Sequence, residues 1–139
     1  MDMVISFPGG LRVEADGIGP TVRTDQPVFA GGDGSAPTPF ALFLGSIGTC
    51  AGIYVLQFCR QRGIPTEGVR IVQHMDFDPQ TRLLRHVELE IQVPPDFPER
   101  YHKAIIHASN VCAVKQMLAD PPTVATTLSV TAGGDQARA

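Results

Sequence analysis

The sequence contains three cysteines, whose side chains can act as nucleophiles or redox groups: Cys50, Cys59 and Cys112. A thiolate is a strong nucleophile and is readily oxidised to a sulfenic acid or a disulfide. An odd number of cysteines at long spacings does not indicate the disulfide framework of a small secreted domain. We therefore expect each thiol to be either reactive or packed inward as a small apolar side chain.

Cys50 and Cys59 both lie in a stretch that predicts one long helix. Thr38 is a capping residue at its start, Pro39 follows at the first helical position, and residues 40–59 carry no charge. A glycine at position 63 is a typical stop signal after the last turn. These signals predict the helix that positions both thiols.

The geometry of this helix separates the two cysteines. At about 100° per residue, Cys50 shares a stripe with Phe43, Ile53 and Tyr54, whereas Cys59 falls about half a revolution away. Cys59 is therefore predicted to lie outside any site built on Cys50. Another side of the helix carries small residues that allow a neighbouring element to approach closely: Gly45, Gly48, Thr49 and Gly52.

Cys112 lies in a second helical segment, residues 111–119, for which Asn110 is the predicted N-cap. Two residues after the cap, its thiol would feel the positive end of the helix dipole, which lowers a thiol pKa. Lys115 adds positive charge one turn further along. Local sequence thus favours Cys112 as the most thiolate-like of the three, and ordinary inward packing of a first-turn cysteine remains the alternative.

The other segments predict an α+β fold in one domain, residues 1–132, with elements in the order βββαββααβ. Residues 1–25 read as an antiparallel meander, and residues 26–36 as a glycine-rich loop. A hairpin turning at residues 78–81 follows the long helix, Asp96 and Glu99 form an acidic capping box for the next one, and residues 123–131 alternate as a last strand. We expect antiparallel sheets around a central helix buried on all sides, and a frayed tail at residues 133–139.

Composition excludes several classes of function. A net charge of −3 gives no electrostatic reason to expect a nucleic acid or an anionic membrane as partner. The uncharged run has the length of a membrane span, but its glycines and polar residues favour a helix covered by protein. Four histidines show no zinc-ligand spacing, so neither a metal nor another cofactor is expected. With no leader-like N-terminus, we expect a cytoplasmic protein.

Two of these segments resemble the OsmC/Ohr family of proteins. TDQPVFAGGDGSAPTPFALFLGSIGTCAGIYVLQFCRQRG, residues 24–63, is similar to the family's central segment, in which a proline-led apolar helix carries a reactive cysteine. SNVCAVKQMLA, residues 109–119, is similar to the segment that holds the second cysteine. The order of strands and helices is similar as well. The resemblance implies an intertwined homodimer with two sites at the subunit interface.

The resemblance also implies a function, the reduction of organic hydroperoxides or hydrogen peroxide in oxidative-stress defence. Cys50 would attack the peroxide and Cys112 would resolve the sulfenic acid, which reverses the ranking from local sequence. An external dithiol would restore both thiols. An arginine from the N-terminal strands would support the thiolate, with Arg23 as first choice and Arg12 as second. Phe43, Ile53 and Tyr54 would line an apolar substrate pocket.

This chain departs from the family at the start of the long helix. Peroxidase members have a glutamate there that orients the arginine, whereas this chain has Phe40 followed by Ala41. No acid lies between Pro39 and Cys50, which leaves Asp33 of the preceding loop as a replacement. The alternative function is therefore a dimeric protein without catalysis, which senses oxidation or binds an apolar ligand. A cysteine acyl-transferring enzyme would need a histidine beside Cys50, and the sequence places none there.

Overall fold

The computed structural model describes residues 1–131, so the predicted tail at residues 133–139 lies outside the described part of the chain. The α+β class with antiparallel sheets is confirmed. The strands are β1 Val4–Gly9, β2 Arg12–Asp16, β3 Val22–Thr24, β4 Arg70–Phe77 and β5 Leu84–Gln92, and the helices are α1 Pro39–Gln61, α2 His102–Asn110 and α3 Ala113–Ala119. Short 3-10 turns precede α1 and α2, at Val28–Ala30 and Glu99–Tyr101.

The strands form two separate antiparallel sheets. β1, β2 and β3 make the predicted meander, and β4 pairs with β5 in the predicted hairpin. Asp78 closes the hairpin turn because its Oδ1 accepts hydrogen bonds from the amides of Gln80 and Thr81. Ile71 and Ile91 are directly opposite in the register, so both project from the same face of the hairpin.

Helix α1 begins and ends where the sequence predicts. The hydroxyl of Thr38 accepts a hydrogen bond from the Ala41 amide at 3.2 Å, which satisfies one free N–H of the first turn. Gly63 has a φ of 62°, and the Ile64 amide donates back to the Cys59 carbonyl at 2.9 Å. This reversed hydrogen bond around a left-handed glycine closes the last turn.

The glycine-lined side of α1 packs against β4. A Cβ placed on Gly48 would lie 2.7 Å from Oε1 of Gln73, and one on Gly52 would lie 3.9 Å from Ile71. Gln73 is held in this contact because its Nε2 donates to the Leu44 carbonyl of α1 at 3.0 Å. The predicted close approach is therefore confirmed at Gly48, whereas a side chain at Gly52 would make only an ordinary contact.

One apolar core joins the second half of α1 to the segment that leads into α2. Val55, Phe58 and Cys59 of α1 pack with Phe97 and Ile105, all buried. Burial of such side chains stabilises the fold by about 1.5–3 kcal/mol each. This core sets the position of α2 against α1.

Two predictions around α1 and α2 are corrected. Within the single chain α1 is buried on one side only, and Leu42, Phe43 and Ile53 stay exposed on the other. The capping box does not form, because α2 begins at His102 and the preceding turn from Glu99 has no side-chain cap. A 3-10 turn after Pro98 takes up the residues that the box would have placed in the first helical turn.

The predicted last strand is also wrong for the chain as described. Residues 123–131 form no strand, and the alternating side chains of Val124 and Leu128 are about nine-tenths exposed, at 89% and 92%. A strand needs a hydrogen-bonded neighbour, and neither sheet of the described residues pairs with this segment. The alternation of side chains therefore indicated a propensity to form a strand, but it could not show whether a neighbouring strand was present to pair with it.

Candidate functional site

The structure brings Cys50 and Cys112 together. Cys50 lies on the half-exposed side of α1, close enough to the Cys112 thiol and to the backbone amides of Val114 and Ala113 for these groups to act on its pKa. These two amides are the first of α3, where N–H groups have no partner inside the helix. The sulfur of Cys50 therefore receives the donors that a helix start leaves free. Both cysteines are present as free thiols.

These contacts lower the pKa of Cys50 below its ordinary value. The largest effect is the hydrogen bond with the Cys112 thiol, followed by the Val114 amide, with a smaller effect from the Ala113 amide. Partial burial opposes them but does not cancel them. A larger fraction of Cys50 is therefore thiolate near neutral pH than for an ordinary cysteine, and the thiolate is the nucleophilic form.

Cys112 behaves in the opposite way. Its side chain is fully buried, and burial is the largest effect that raises its pKa, followed by the hydrogen bond with Cys50. The prediction that Cys112 is the most thiolate-like cysteine is thus wrong. Asn110 is the last residue of α2 rather than an N-cap, and α3 begins one residue after Cys112, which is itself the cap residue. The amides at the start of α3 act on both thiols, and burial keeps the pKa of Cys112 raised.

Cys59 lies apart from this pair, as the helix geometry predicts. It is fully buried in the apolar core beside Phe58 and Phe97, and burial raises its pKa. A buried thiol with a raised pKa is a poor nucleophile. Its surroundings are those of a packing residue.

The candidate arginines lie on the N-terminal sheet, and each is paired with an acid. Nε of Arg23 contacts Oε1 of Glu14 at 3.2 Å, and Nη1 of Arg12 contacts Oδ2 of Asp33 at 2.9 Å. Within residues 1–131 neither arginine hydrogen bonds a cysteine. A site that combines an arginine with Cys50 is therefore not assembled by the described part of one chain.

The three predicted pocket residues have different surroundings. Phe43 and Ile53 are exposed on either side of Cys50 along α1. Tyr54 is half-buried and lines a cavity of about 370 Å³ between α1 and α2, together with Gln57 and Ala108. Their role as one substrate pocket stays a prediction.

Aromatic rings occupy the start of α1, where the resemblance places a glutamate. Phe40 stacks on Phe43 at 5.8 Å between ring centroids and meets Phe77 edge-on at 6.4 Å. The first turn of α1 contains no acidic residue. The hairpin contact through Phe77 could not be read from the sequence, because only the fold brings β4 to this end of α1.

Within residues 1–131 no group of three histidine, cysteine, aspartate or glutamate side chains is arranged to hold a metal ion. One helix there, α1, is long and apolar enough to cross a membrane by length and composition alone. Core helices of soluble proteins have the same length and composition.

The chain matches the family described as OsmC-like protein over residues 32–127, well over half its length. No protein with a curated function matches it significantly.

Three solved structures are similar to this chain at low sequence identity. A protein of Psychrobacter arcticus 273-4, assigned to the osmotic stress and detoxification response, is 23% identical with a TM-score of 0.60, covering 82% of this chain and 85% of that one. An OsmC-like protein of Mycoplasma pneumoniae is 16% identical with a TM-score of 0.59, covering 86% and 87%. A Legionella pneumophila protein, described as an organic hydroperoxide resistance protein, is 16% identical with a TM-score of 0.47, covering 86% and 90%.

Proposed function

This chain belongs to the OsmC-like protein family, and on that premise we propose that it is a thiol-dependent peroxidase that reduces organic hydroperoxides or hydrogen peroxide. The observation that carries the proposal is the contact between Cys50 and Cys112, with a lowered pKa at the half-exposed thiol and a raised pKa at the buried one. A two-cysteine peroxidase needs two thiols with different roles. One is a thiolate that attacks the peroxide, and the other is a protonated thiol that later forms the disulfide.

The first step is attack by the Cys50 thiolate on the terminal oxygen of the hydroperoxide. The S–O bond forms as the O–O bond breaks, the peroxide is reduced to an alkoxide that takes up a proton, and Cys50 becomes a sulfenic acid. Donors beside the sulfur stabilise the thiolate before the attack, namely the Cys112 thiol and the Val114 amide. Half-exposure of Cys50 leaves the sulfur accessible to a substrate.

The second step is condensation of the sulfenic acid with the Cys112 thiol. A disulfide forms between the two sulfurs, and the hydroxyl group leaves with the thiol proton as water. The two thiols lie near enough to shift each other's pKa, which supports a direct condensation between them. An external dithiol then reduces the disulfide by exchange and is itself oxidised, which returns both cysteines to thiols.

The proposal includes a cytoplasmic homodimer whose partner subunit contributes the arginine. Two observations support this assembly. The cysteine pair has no arginine bonded to it within the described residues. Large apolar side chains are also exposed on the N-terminal sheet and along α1, including Phe7, Phe29 and Ile53. Exposed apolar side chains in this number support a protein interface on these elements.

A second candidate function is redox sensing without efficient turnover. The observation in its favour is the aromatic cluster at the start of α1, where Phe40 replaces the acid found in peroxidase members. In this case oxidation would form the Cys50–Cys112 disulfide as a signal, and its reduction back to two thiols would be slow.

The experiment that separates the two functions is steady-state turnover of cumene hydroperoxide by the full chain. With the protein at catalytic concentration, we expect peroxide consumption to depend on a dithiol reductant. We expect its rate to saturate as the peroxide concentration is raised. Hydrogen peroxide in place of cumene hydroperoxide tests the preference for an apolar substrate. No turnover with several different dithiols, while the thiols still oxidise, would contradict the peroxidase proposal and favour the sensor.

A further inference from the structure

A cavity of about 370 Å³ lies in the cleft between α1 and α2. Arg62, directly after the end of α1, has its guanidinium carbon 5.4 Å from the ring centroid of Tyr101, which directly precedes α2. Cys50, near the middle of α1, lies close to Cys112, which follows α2. The two helices therefore run antiparallel, and the cavity extends along both of them.

Small and apolar residues form the space in this cleft. Ala104 and Ala108 lie one turn apart on α2 and both line the cavity, as does the buried ring of Phe58 from α1. Tyr54 and Arg62 line it from positions eight residues apart, which corresponds to about 12 Å along the helix axis. Small-molecule sites have volumes of about 300–1,000 Å³. The cleft therefore has room for a small, elongated apolar group.

One end of the cavity carries a fixed positive charge. The guanidinium of Arg62 lies over the Phe58 ring, 3.7 Å from its centroid, and its Nη1 donates to the Phe58 carbonyl at 3.2 Å. A guanidinium has five N–H donors, so others remain available to a ligand. Within residues 1–131 no carboxylate lies at ion-pair distance from Arg62. The charge is held in place without a negative partner in the described part of the chain.

The other polar side chains of the cavity are also hydrogen-bond donors. Gln57, Gln61 and His107 line it, and the lining residues in the described chain include no aspartate or glutamate. A carboxylate accepts hydrogen bonds from amide and imidazole N–H groups and forms short, charge-assisted bonds with a guanidinium. The cavity thus combines an anion-binding end with apolar walls, which is complementary to a carboxylic acid that has a hydrocarbon chain.

We propose that the cleft between α1 and α2 is a binding site for a medium-chain carboxylic acid. Its carboxylate contacts the Arg62 guanidinium, and its hydrocarbon chain lies along Ala104 and Ala108. The far end of the chain points toward Tyr54, one helical turn from Cys50. This site goes beyond the proposed function, because binding of the acid requires no redox chemistry at the cysteine pair.

Titration of the ¹⁵N-labelled full chain with octanoate, followed by ¹H–¹⁵N correlation spectra, tests the site. We expect saturable shifts of amide signals from residues 57–62 and 104–108. Arg62→Met keeps an apolar side chain over Phe58 and removes the charge, so octanoate should bind at least about tenfold more weakly. Arg60→Met is the matched control, because Arg60 lies in the same last turn of α1 but does not line the cavity. Its affinity for octanoate should equal that of the wild type.

Two further probes separate the contributions of charge and chain. The alcohol 1-octanol has the same chain length without a charge, and inorganic phosphate has a charge without a chain. Both should bind at least about tenfold more weakly than octanoate. Equal affinity for 1-octanol would overturn the role of Arg62, and equal affinity for phosphate would overturn the assignment to a carboxylic acid.

A second variant keeps the test decisive if Arg62→Met alters the fold. Gln57→Trp fills the cavity from its exposed rim, so it should abolish the octanoate shifts while the rest of the spectrum stays native. Unchanged octanoate affinity in natively folded Arg62→Met or Gln57→Trp would overturn the proposal. So would octanoate shifts that do not saturate or that lie outside the cleft. If octanoate binds as expected while the wild type consumes no peroxide, the site stands and the peroxidase proposal fails.

Discussion

Replacement of Cys50 by serine is expected to lower the rate of cumene hydroperoxide reduction by at least about 10³-fold, because the reaction then lacks its nucleophile. A serine hydroxyl is not deprotonated near neutral pH and does not form a sulfenic acid. The donors that lower the pKa of Cys50 remain in place, so the loss reflects the missing sulfur and not a rearranged site. The measurement is steady-state peroxide consumption with a dithiol reductant.

Cys59→Ser is the control for this experiment. Cys59 lies on the same helix but is buried in the core, so its replacement should lower stability and leave the rate per folded molecule within about twofold. Equal loss of activity in both variants would show that α1 was damaged generally. Full activity of the Cys50→Ser variant would show that Cys50 is not the nucleophile of the reaction.

Gly32→Ala is expected to give the largest loss of stability among conservative substitutions in the N-terminal half. A Cβ at Gly32 would lie 2.0 Å from the Gln26 carbonyl oxygen, a backbone atom that cannot move aside as a side chain can. We expect the free energy of unfolding to fall by about 3 kcal/mol and the melting temperature by roughly 10 °C. Thermal and urea unfolding followed by circular dichroism would measure both.

Gly34→Ala, in the same loop, is the matched control. A Cβ there would meet only a Val28 methyl group at 3.8 Å, although the φ of 63° carries a strain penalty of about 1 kcal/mol. We therefore expect a distinctly smaller loss than at Gly32. Losses of the same size at the two positions would mean that loop conformation in general, and not the contact with Gln26, sets the cost.

Much of the fold could be predicted from the sequence because its signals are local. Thr38 as a cap, Gly63 as a stop and the Asp78 turn each act within a few residues, and each is found where it was expected. The strand predicted at residues 123–131 failed for the opposite reason. Alternation describes a side-chain pattern, whereas pairing depends on a neighbour that the described chain does not supply.

The candidate site was harder to predict because its electrostatics depend on burial and on contacts between distant segments. The amides at the start of α3 act on both Cys50 and Cys112, but Cys112 is fully buried, and this burial raises its pKa. The family resemblance nevertheless assigned the attacking role to Cys50, in agreement with the direction of its pKa. The pairing of Arg12 with Asp33 likewise depends on a contact between strand β2 and the loop before α1, which no local pattern indicates.

The central claim is that Cys50 and Cys112 act as a redox pair, and peptide mapping after oxidation tests it most directly. Reduced wild-type protein is treated with one equivalent of cumene hydroperoxide, blocked with iodoacetamide, digested without reduction and analysed by mass spectrometry. We predict one new disulfide, between the peptides that contain Cys50 and Cys112, with Cys59 remaining a thiol. A disulfide that includes Cys59, or oxidation of Cys50 to a sulfinic acid without any disulfide, would contradict the account.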